Sequence, residues 1–187
     1  MHVNLRLPVL TLFFIFFACS QETGEGSKTL ADSSARVDKS AFTKGHVDLL
    51  DASGFKALKR KYQGKVLLIN TWATWCLPCK EEFPDLIRLA SKYKDSDVAI
   101  IGVSVDYPDE VDSKVIPFLS SQQVNFPNFV QNFKEPEDLI NLFNEKWRGA
   151  VPATFIYDKK GNQRAFLLGK HTFEEFKSEI ESIRSDS

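Results

Sequence analysis

Cysteine and histidine are scarce in this sequence, with three of each in 187 residues. Three cysteines are too few for a disulfide-stapled scaffold, so the fold must rest on a hydrophobic core. The histidines are His2, His46 and His171, and no second cysteine pair exists, so a zinc site lacks a ligand set. An excess of one charge is also lacking. Lysine and arginine total 24 against 25 acidic residues. No basic face for nucleic acid and no acidic tail is therefore advertised. The early apolar run is shorter than the roughly 20 residues that a bilayer-crossing helix needs. No internal repeat and no second domain are visible. What is present is 43% hydrophobic and 26% charged residues, the balance of a globular domain with a real core.

Residues 9–17 read VLTLFFIFF behind a short start carrying His2 and Arg6, and Ala18-Cys19 follows at once. A short apolar run behind a basic start reads as an export signal. Its end resembles a bacterial lipoprotein signal, which implies cleavage before Cys19 and a diacylglycerol on its thiol. A plain cleaved signal and an uncleaved anchor are the alternatives. Residues 19–44 are polar, Gly/Ser-rich and poor in large apolar side chains, so they are expected to form a flexible tether. The organisation expected is a signal peptide over 1–18, a tether over 19–44 and a folded domain over 45–187. Two or three acyl chains, at about 0.8 kcal/mol per buried CH₂, would hold such a domain at a membrane where one chain would not.

Within the domain, residues 46–51 suggest a short strand, and Ser53 is placed as the cap of a helix over 54–62. Residues 66–71 and 98–105 are apolar and β-rich, the pattern of strands buried on both faces. Between them, Phe83, Leu86, Ile87 and Ala90 recur at helical spacing, with Pro84 expected to kink the helix or force an irregular turn. Helices are expected over 109–123 and 137–147, and strands at 129–130, 153–157 and 163–168. The last two strands are joined by a turn with Gly161 where positive φ is wanted. Thr172 and Glu175 form a capping-box pattern before a final helix to about Arg184. These elements imply an α/β fold with a mixed central sheet and helices on both faces.

Chemistry concentrates at Trp72-Ala-Thr-Trp-Cys-Leu-Pro-Cys-Lys, residues 72–80, between a buried strand and a helix start. Cysteines at i and i+3 in a helix's first turn can close a small disulfide ring. The first thiol also sits where unpaired backbone N–H groups and the helix dipole favour a thiolate. A free thiol with pKa about 8.5 is only a few per cent ionised at pH 7, and lowering that to about 7 makes half of it reactive. Pro78 removes an N–H at a position that tolerates its loss and stiffens the loop. Trp75 is placed at the surface beside Cys76, where a flat apolar face suits passing substrates; filling the core is the duller alternative.

The segment WATWCLPC, the following Lys80-Glu-Glu-Phe-Pro and the later run from Gly149-Ala-Val-Pro to Gly161 resemble the TlpA/ResA-type branch of the thioredoxin superfamily. The resemblance covers about residues 46–184. It implies a thioredoxin-like fold and an extracytoplasmic, membrane-tethered thiol–disulfide oxidoreductase, many of whose relatives reduce the haem-binding cysteines of apocytochromes c. On that resemblance Cys76 attacks, Cys79 resolves, and Pro152 is a cis-proline beside the disulfide. Val151 would then offer its backbone to an extended substrate as an added strand. Asn70 occupies the place of the buried aspartate of thioredoxin. Glu82 matches an acidic residue held near the pair, and its spacing from Cys79 puts both on one helical face. A solvated helix glutamate like Glu81 is the alternative for Glu82.

The expected activity is reduction of protein disulfides through a Cys76/Cys79 dithiol–disulfide cycle. It needs no metal, flavin or nucleotide, takes protein thiol or disulfide substrates, and draws electrons from a membrane donor at the extracytoplasmic face of a bacterial envelope. The rivals are a disulfide oxidase or isomerase of the same fold and a non-catalytic interaction module. A purely structural bridge is disfavoured, because a loop this small hardly restricts the unfolded chain. Histidines 46 and 171 receive no role.

Overall fold

Two strands with almost no polar alternation form the centre of the sheet. In the computed structural model, which describes residues 47–186, β2 (Val66–Trp72) is buried at every position, and β3 (Val98–Ser104) at all but Ala99. They pair in parallel from Val66 opposite Val98 to Trp72 opposite Ser104. Strands β4 (Asn128–Gln131) and β1 (Asp48–Leu50) extend the parallel part beyond β3. On the other side β5 (Ala153–Tyr157) runs antiparallel to β2, and β6 (Gln163–Leu168) runs antiparallel to β5. The order is β1-β4-β3-β2-β5-β6, a mixed sheet. The export signal, Cys19 and the tether expected before it lie outside the described residues.

Helices cover both faces, as the sequence reading expects. Strand alternation sends Leu68 and Trp72 of β2 to one face, against Phe83 and Leu86 of α2 (Leu77–Lys92) and Phe176 and Ile180 of α5 (Phe173–Ser185). Leu67 and Ile69 face the other way, toward Phe55 of α1 (Ala52–Lys61) and Leu139 and Phe143 of α4 (Pro136–Phe143). A short α3 (Ile116–Ser121) adds Leu119 to the first core. Asn70 shares the face of Leu68 and Trp72, so its polar side chain is delivered beneath α2.

Three expected details are corrected, and the long helix after the cysteines keeps its expected extent. The cap of α1 is Asp51, not Ser53. The Asp51 carboxylate accepts from Gly54 N–H at 2.7 Å and from the Ser53 hydroxyl at 2.8 Å, doing the work of a cap two residues earlier. The helix expected over 109–123 is three pieces: a 3₁₀ turn (Pro108–Glu110), a π-type turn (Val111–Val115) and α3. Ile116 N–H reaches back to the Val111 carbonyl, just before Pro117 removes the next amide from the ladder. Helix α4 ends at Phe143 rather than at residue 147, because Asn144 turns to extended backbone and its side-chain oxygen accepts from Lys146 N–H at 2.8 Å. Helix α2 runs on through Pro84 to Lys92 in one piece, although that proline takes away the amide due to the Lys80 carbonyl.

Candidate active site

The carboxyl ends of β2 and β3 and the amino end of β5 meet at one rim of the sheet, and the loops leaving them build the site. The chain after β2 turns at once into α2, whose N-cap is Cys76 with extended φ and ψ of −86° and 105°. Its sulfur accepts from Cys79 N–H at 3.2 Å, taking up one of the free amides of the first turn. Cys76 and Cys79 are joined as a disulfide with Cα atoms 5.3 Å apart, and Pro78 sits in the first turn of α2. Both cysteines are buried, Cys79 more deeply, at 1% exposure against 5%. Cys76 is therefore the more accessible residue of the pair. Trp75 and Leu77 beside it are 67% and 66% exposed.

The second wall is the segment before β5. The Val151–Pro152 peptide is cis, and the Val151 carbonyl oxygen lies 3.6 Å from the Cys76 sulfur. Trp147 anchors this segment. Its ring packs in the core against Phe143 and Phe155, and its indole N–H donates to the Ala150 carbonyl at 2.8 Å. The Pro152 carbonyl is itself held by Gly169 N–H at 2.9 Å, tying the segment to the end of β6.

Asp106 secures the loop before the cysteines from below. It is buried, and it accepts from Thr74 N–H at 2.8 Å, the Thr74 hydroxyl at 2.7 Å and the Ser104 hydroxyl at 2.5 Å. Its donors are all neutral. The Trp72 indole is fixed in a similar way, donating to the Asn128 side-chain oxygen at 3.0 Å. That side chain fits only because residue 102 on the neighbouring strand is glycine; a Cβ there would overlap it.

Glu82 is buried, at 1% exposure. It stands one turn along α2 from Cys79, where helical spacing puts both on one face. Oε1 accepts from Asn70 Nδ2 at 2.6 Å, and Oε2 accepts from the backbone N–H of His171 at 2.7 Å. Among the described residues no cation touches it directly. Burial pushes its carboxyl up to about 7; the two hydrogen bonds and the charge of Lys170 pull the other way, and Asp85 adds to the rise. Glu81 next to it is solvated and pairs with Lys170 at 2.7 Å. A carboxyl in this state can hold or release one proton near neutrality, which suits a general acid or base beside a thiol.

Cys76, Cys79, Trp75, Pro78, Val151 and Pro152 thus converge on one rim, with Glu82 beneath them. Three contributors carry no sequence signal. Asp106 and Thr154 are ordinary strand-end residues, and Thr154 matters only because it lies across the β2–β5 pair from Asn70. His171 contributes a backbone amide, which no side-chain pattern reveals.

The AhpC/TSA family model matches residues 46–165. The thiol-disulfide oxidoreductase ResA of Geobacillus kaustophilus (strain HTA426) is 31% identical over 136 residues, 73% of each chain. The thioredoxin-like protein YneN of Bacillus subtilis (strain 168) is 28% identical over 69% of this chain and 71% of its own. Among solved structures, a thiol:disulfide interchange protein of the thioredoxin family from Chlorobium tepidum TLS superimposes with a TM-score of 0.57 at 23% identity, over 67% of this chain and 83% of its own. A DsbF homologue from Corynebacterium diphtheriae gives 0.55 at 25% identity, over 66% and 74%. The chain belongs to the AhpC/TSA family and stands within it among the ResA-type thiol–disulfide oxidoreductases of thioredoxin-like fold.

Proposed function

We propose that this protein works as a reductant of protein disulfides at the outer face of a bacterial membrane, held there by acyl chains on Cys19. The observation that carries the direction of electron flow is the buried Glu82 carboxyl beside the cysteine pair. An ionised carboxylate there opposes a second negative charge, so it destabilises a thiolate on the reduced pair. Strongly oxidising members of this fold owe their high potential to a stabilised reduced form. A site that withholds that stabilisation favours giving electrons away.

In the proposed cycle the Cys76 thiolate attacks a substrate disulfide, forming a Cys76–substrate mixed disulfide and expelling the first substrate thiolate. Cys79 passes its proton to the Glu82 carboxylate, and the resulting thiolate attacks the Cys76 sulfur. The Cys76–Cys79 disulfide forms and the second substrate thiolate leaves. Two electrons have passed from the protein dithiol to the substrate, and a membrane electron donor restores the dithiol. Val151 and the exposed Trp75 would receive an extended substrate strand. Disulfides of apocytochrome haem-binding motifs, with two cysteines in a short flexible segment, are the substrate class proposed from the family resemblance.

The test is the potential of the Cys76–Cys79 couple, equilibrated with defined redox buffers. The expected value lies near the thioredoxin end, about −270 mV, and a value above roughly −180 mV reverses the proposed direction and favours the oxidase or isomerase reading. For the anchor, the full chain and Cys19→Ser are expressed with a fatty-acid probe. Label on the parent alone is expected, and equal labelling rejects lipidation at Cys19.

A further inference from the structure

The hydrogen bonds around Glu82 contain a mismatch that its own protonation would create. Oε2 faces the His171 backbone N–H at 2.7 Å. A backbone amide can only donate, so Oε2 must stay an acceptor whether Glu82 is charged or neutral. The carbonyl oxygen of a neutral carboxyl accepts better than its hydroxyl oxygen, so a proton arriving on Glu82 is best held on Oε1. Oε1 faces Asn70 Nδ2 at 2.6 Å, and that nitrogen is also only a donor. With the amide as it stands, a neutral Glu82 would set donor against donor in a buried site.

The opposite end of the same amide resolves the conflict. Asn70 Oδ1 is buried and has no hydrogen-bond partner among the described residues. Asn70 Nδ2 also reaches the Thr154 hydroxyl oxygen at 3.0 Å, and a hydroxyl can accept or donate. Turning the amide by half a revolution about its last torsion exchanges two groups of nearly equal size. Oδ1 then takes the nitrogen's place and can accept from the Glu82 carboxyl proton and from the Thr154 hydroxyl, using both lone pairs.

We propose that Asn70 is a two-state partner of Glu82, donating to its carboxylate in one amide orientation and accepting from its carboxyl proton in the other, with Thr154 reversing its own role in step. In one orientation the end without a partner among the described residues is the carbonyl oxygen, and in the other it is the two N–H groups. The arrangement lets a buried carboxyl near the cysteines gain and lose a proton without leaving a donor facing a donor. This rests on the reading that Glu82 exchanges a proton with Cys79. The other ionisable groups around Glu82 are Glu81 and Asp85 on α2, and Lys170 and His171 on the loop before α5, with Glu175 of α5 behind His171. Asn70 is here a positioning residue, acting through Glu82.

The experiment follows the side-chain amide of Asn70 by ¹⁵N NMR in the full chain in detergent, assigned by its loss in Asn70→Ala. Above the Glu82 titration both amide protons are bonded, so they should be downfield and protected from exchange. Below it they should move upfield and lose protection, with a midpoint matching Glu82. Glu82→Gln supplies a permanent donor opposite Asn70, because its oxygen must still meet His171 N–H. It should fix the low-pH pattern at every pH. An Asn70 amide that ignores the Glu82 titration, or a Glu82→Gln protein with the high-pH pattern, overturns the proposal. In Asn70→Ala the carboxylate loses a charge-assisted bond and the acid an ordinary one, so the Glu82 midpoint, followed through the His171 backbone amide that it accepts from, should rise by about one unit. An unmoved midpoint also overturns it. Thiol titrations of Cys76 and Cys79 in Glu82→Gln separate the two ideas: unchanged thiols with a switching amide reject the proton exchange with Cys79 and keep the amide switch.

Discussion

Two carboxyls at opposite ends of the sheet are pushed in opposite directions. Glu82, at the disulfide end, is buried and accepts from two neutral donors, and its pKa is raised to about 7. Asp97 precedes β3 at the far end. It is half-exposed and clamped by Lys159 at 2.9 Å and Arg184 at 2.7 Å. Those two bonds lower its pKa to about 2. Asp106 belongs with Glu82 in kind: it too is buried on neutral donors, from Thr74 and Ser104. The far end uses full charges to join the turn after β5 and the end of α5 to the sheet. At the disulfide end Glu82 is held by neutral donors instead, which leaves its charge state available to the chemistry rather than locking it.

The largest effect expected from breaking this contrast is at the sulfurs. Cys76→Ser should reduce disulfide-reductase activity to background, while Cys79→Ser should accumulate mixed disulfides through Cys76. Trapping followed by mass spectrometry checks both, and adducts forming equally through Cys79 would reverse the assigned roles.

Next comes Glu82. Its folded-state pKa, about 7, is above the ordinary 4.5, so its contribution to stability is fully present below about pH 4.5 and lost as pH rises through about 7. Glu82→Gln removes that dependence. Denaturant unfolding of the oxidised protein should show the variant gaining about 3 kcal/mol on wild type between pH 4 and pH 8. Parallel stability curves across that window would mean the carboxyl does not titrate there.

Asp106→Ala asks whether neutral donors need their buried acceptor. It strands the Thr74 amide and two hydroxyls, at a cost of about 2 kcal/mol, and should loosen the loop before Cys76. Unfolding measurements give the first effect; faster amide exchange at Thr74 and Trp75 gives the second.

The smallest change should come from the far end. Asp97→Asn should cost about 1 kcal/mol or less, because its ion pairs are partly exposed and screened. The wild-type contribution is present above about pH 3.8 and lost as pH falls through about 2. Repeating the measurement in molar salt should shrink the Asp97 effect and leave that of Asp106→Ala nearly intact.

Much of this was legible in the chain because it depends on short-range pattern. The largely apolar runs at 66–71 and 98–105 point to two doubly buried strands, since a strand without regular polar alternation has no solvent face. Cys76, Leu77, Pro78 and Cys79 fix a helix start that can close a disulfide. Thr172 and Glu175 fix a cap, with Glu175 N–H to the Thr172 hydroxyl at 3.4 Å and Thr172 N–H to Glu175 at 2.7 Å. Where prolines compete with helical pattern, as at Pro84 and Pro117, local rules disagree with each other. Packing decided between them, sparing α2 and breaking the stretch before α3.

What only the tertiary structure decided is the surroundings of the charged groups. Glu81 and Glu82 are the same residue, adjacent, on one helix. One is solvated and paired with Lys170; the other is buried beneath the disulfide between Asn70 and the His171 amide. Residues 70, 82, 154 and 171 meet because β2, α2, β5 and the loop before α5 converge there. The sequence by itself determined which sulfurs could react and which helix would carry them. The proton chemistry beside them depends on burial and on which donors face each oxygen, and those are set by contacts between segments up to 89 residues apart.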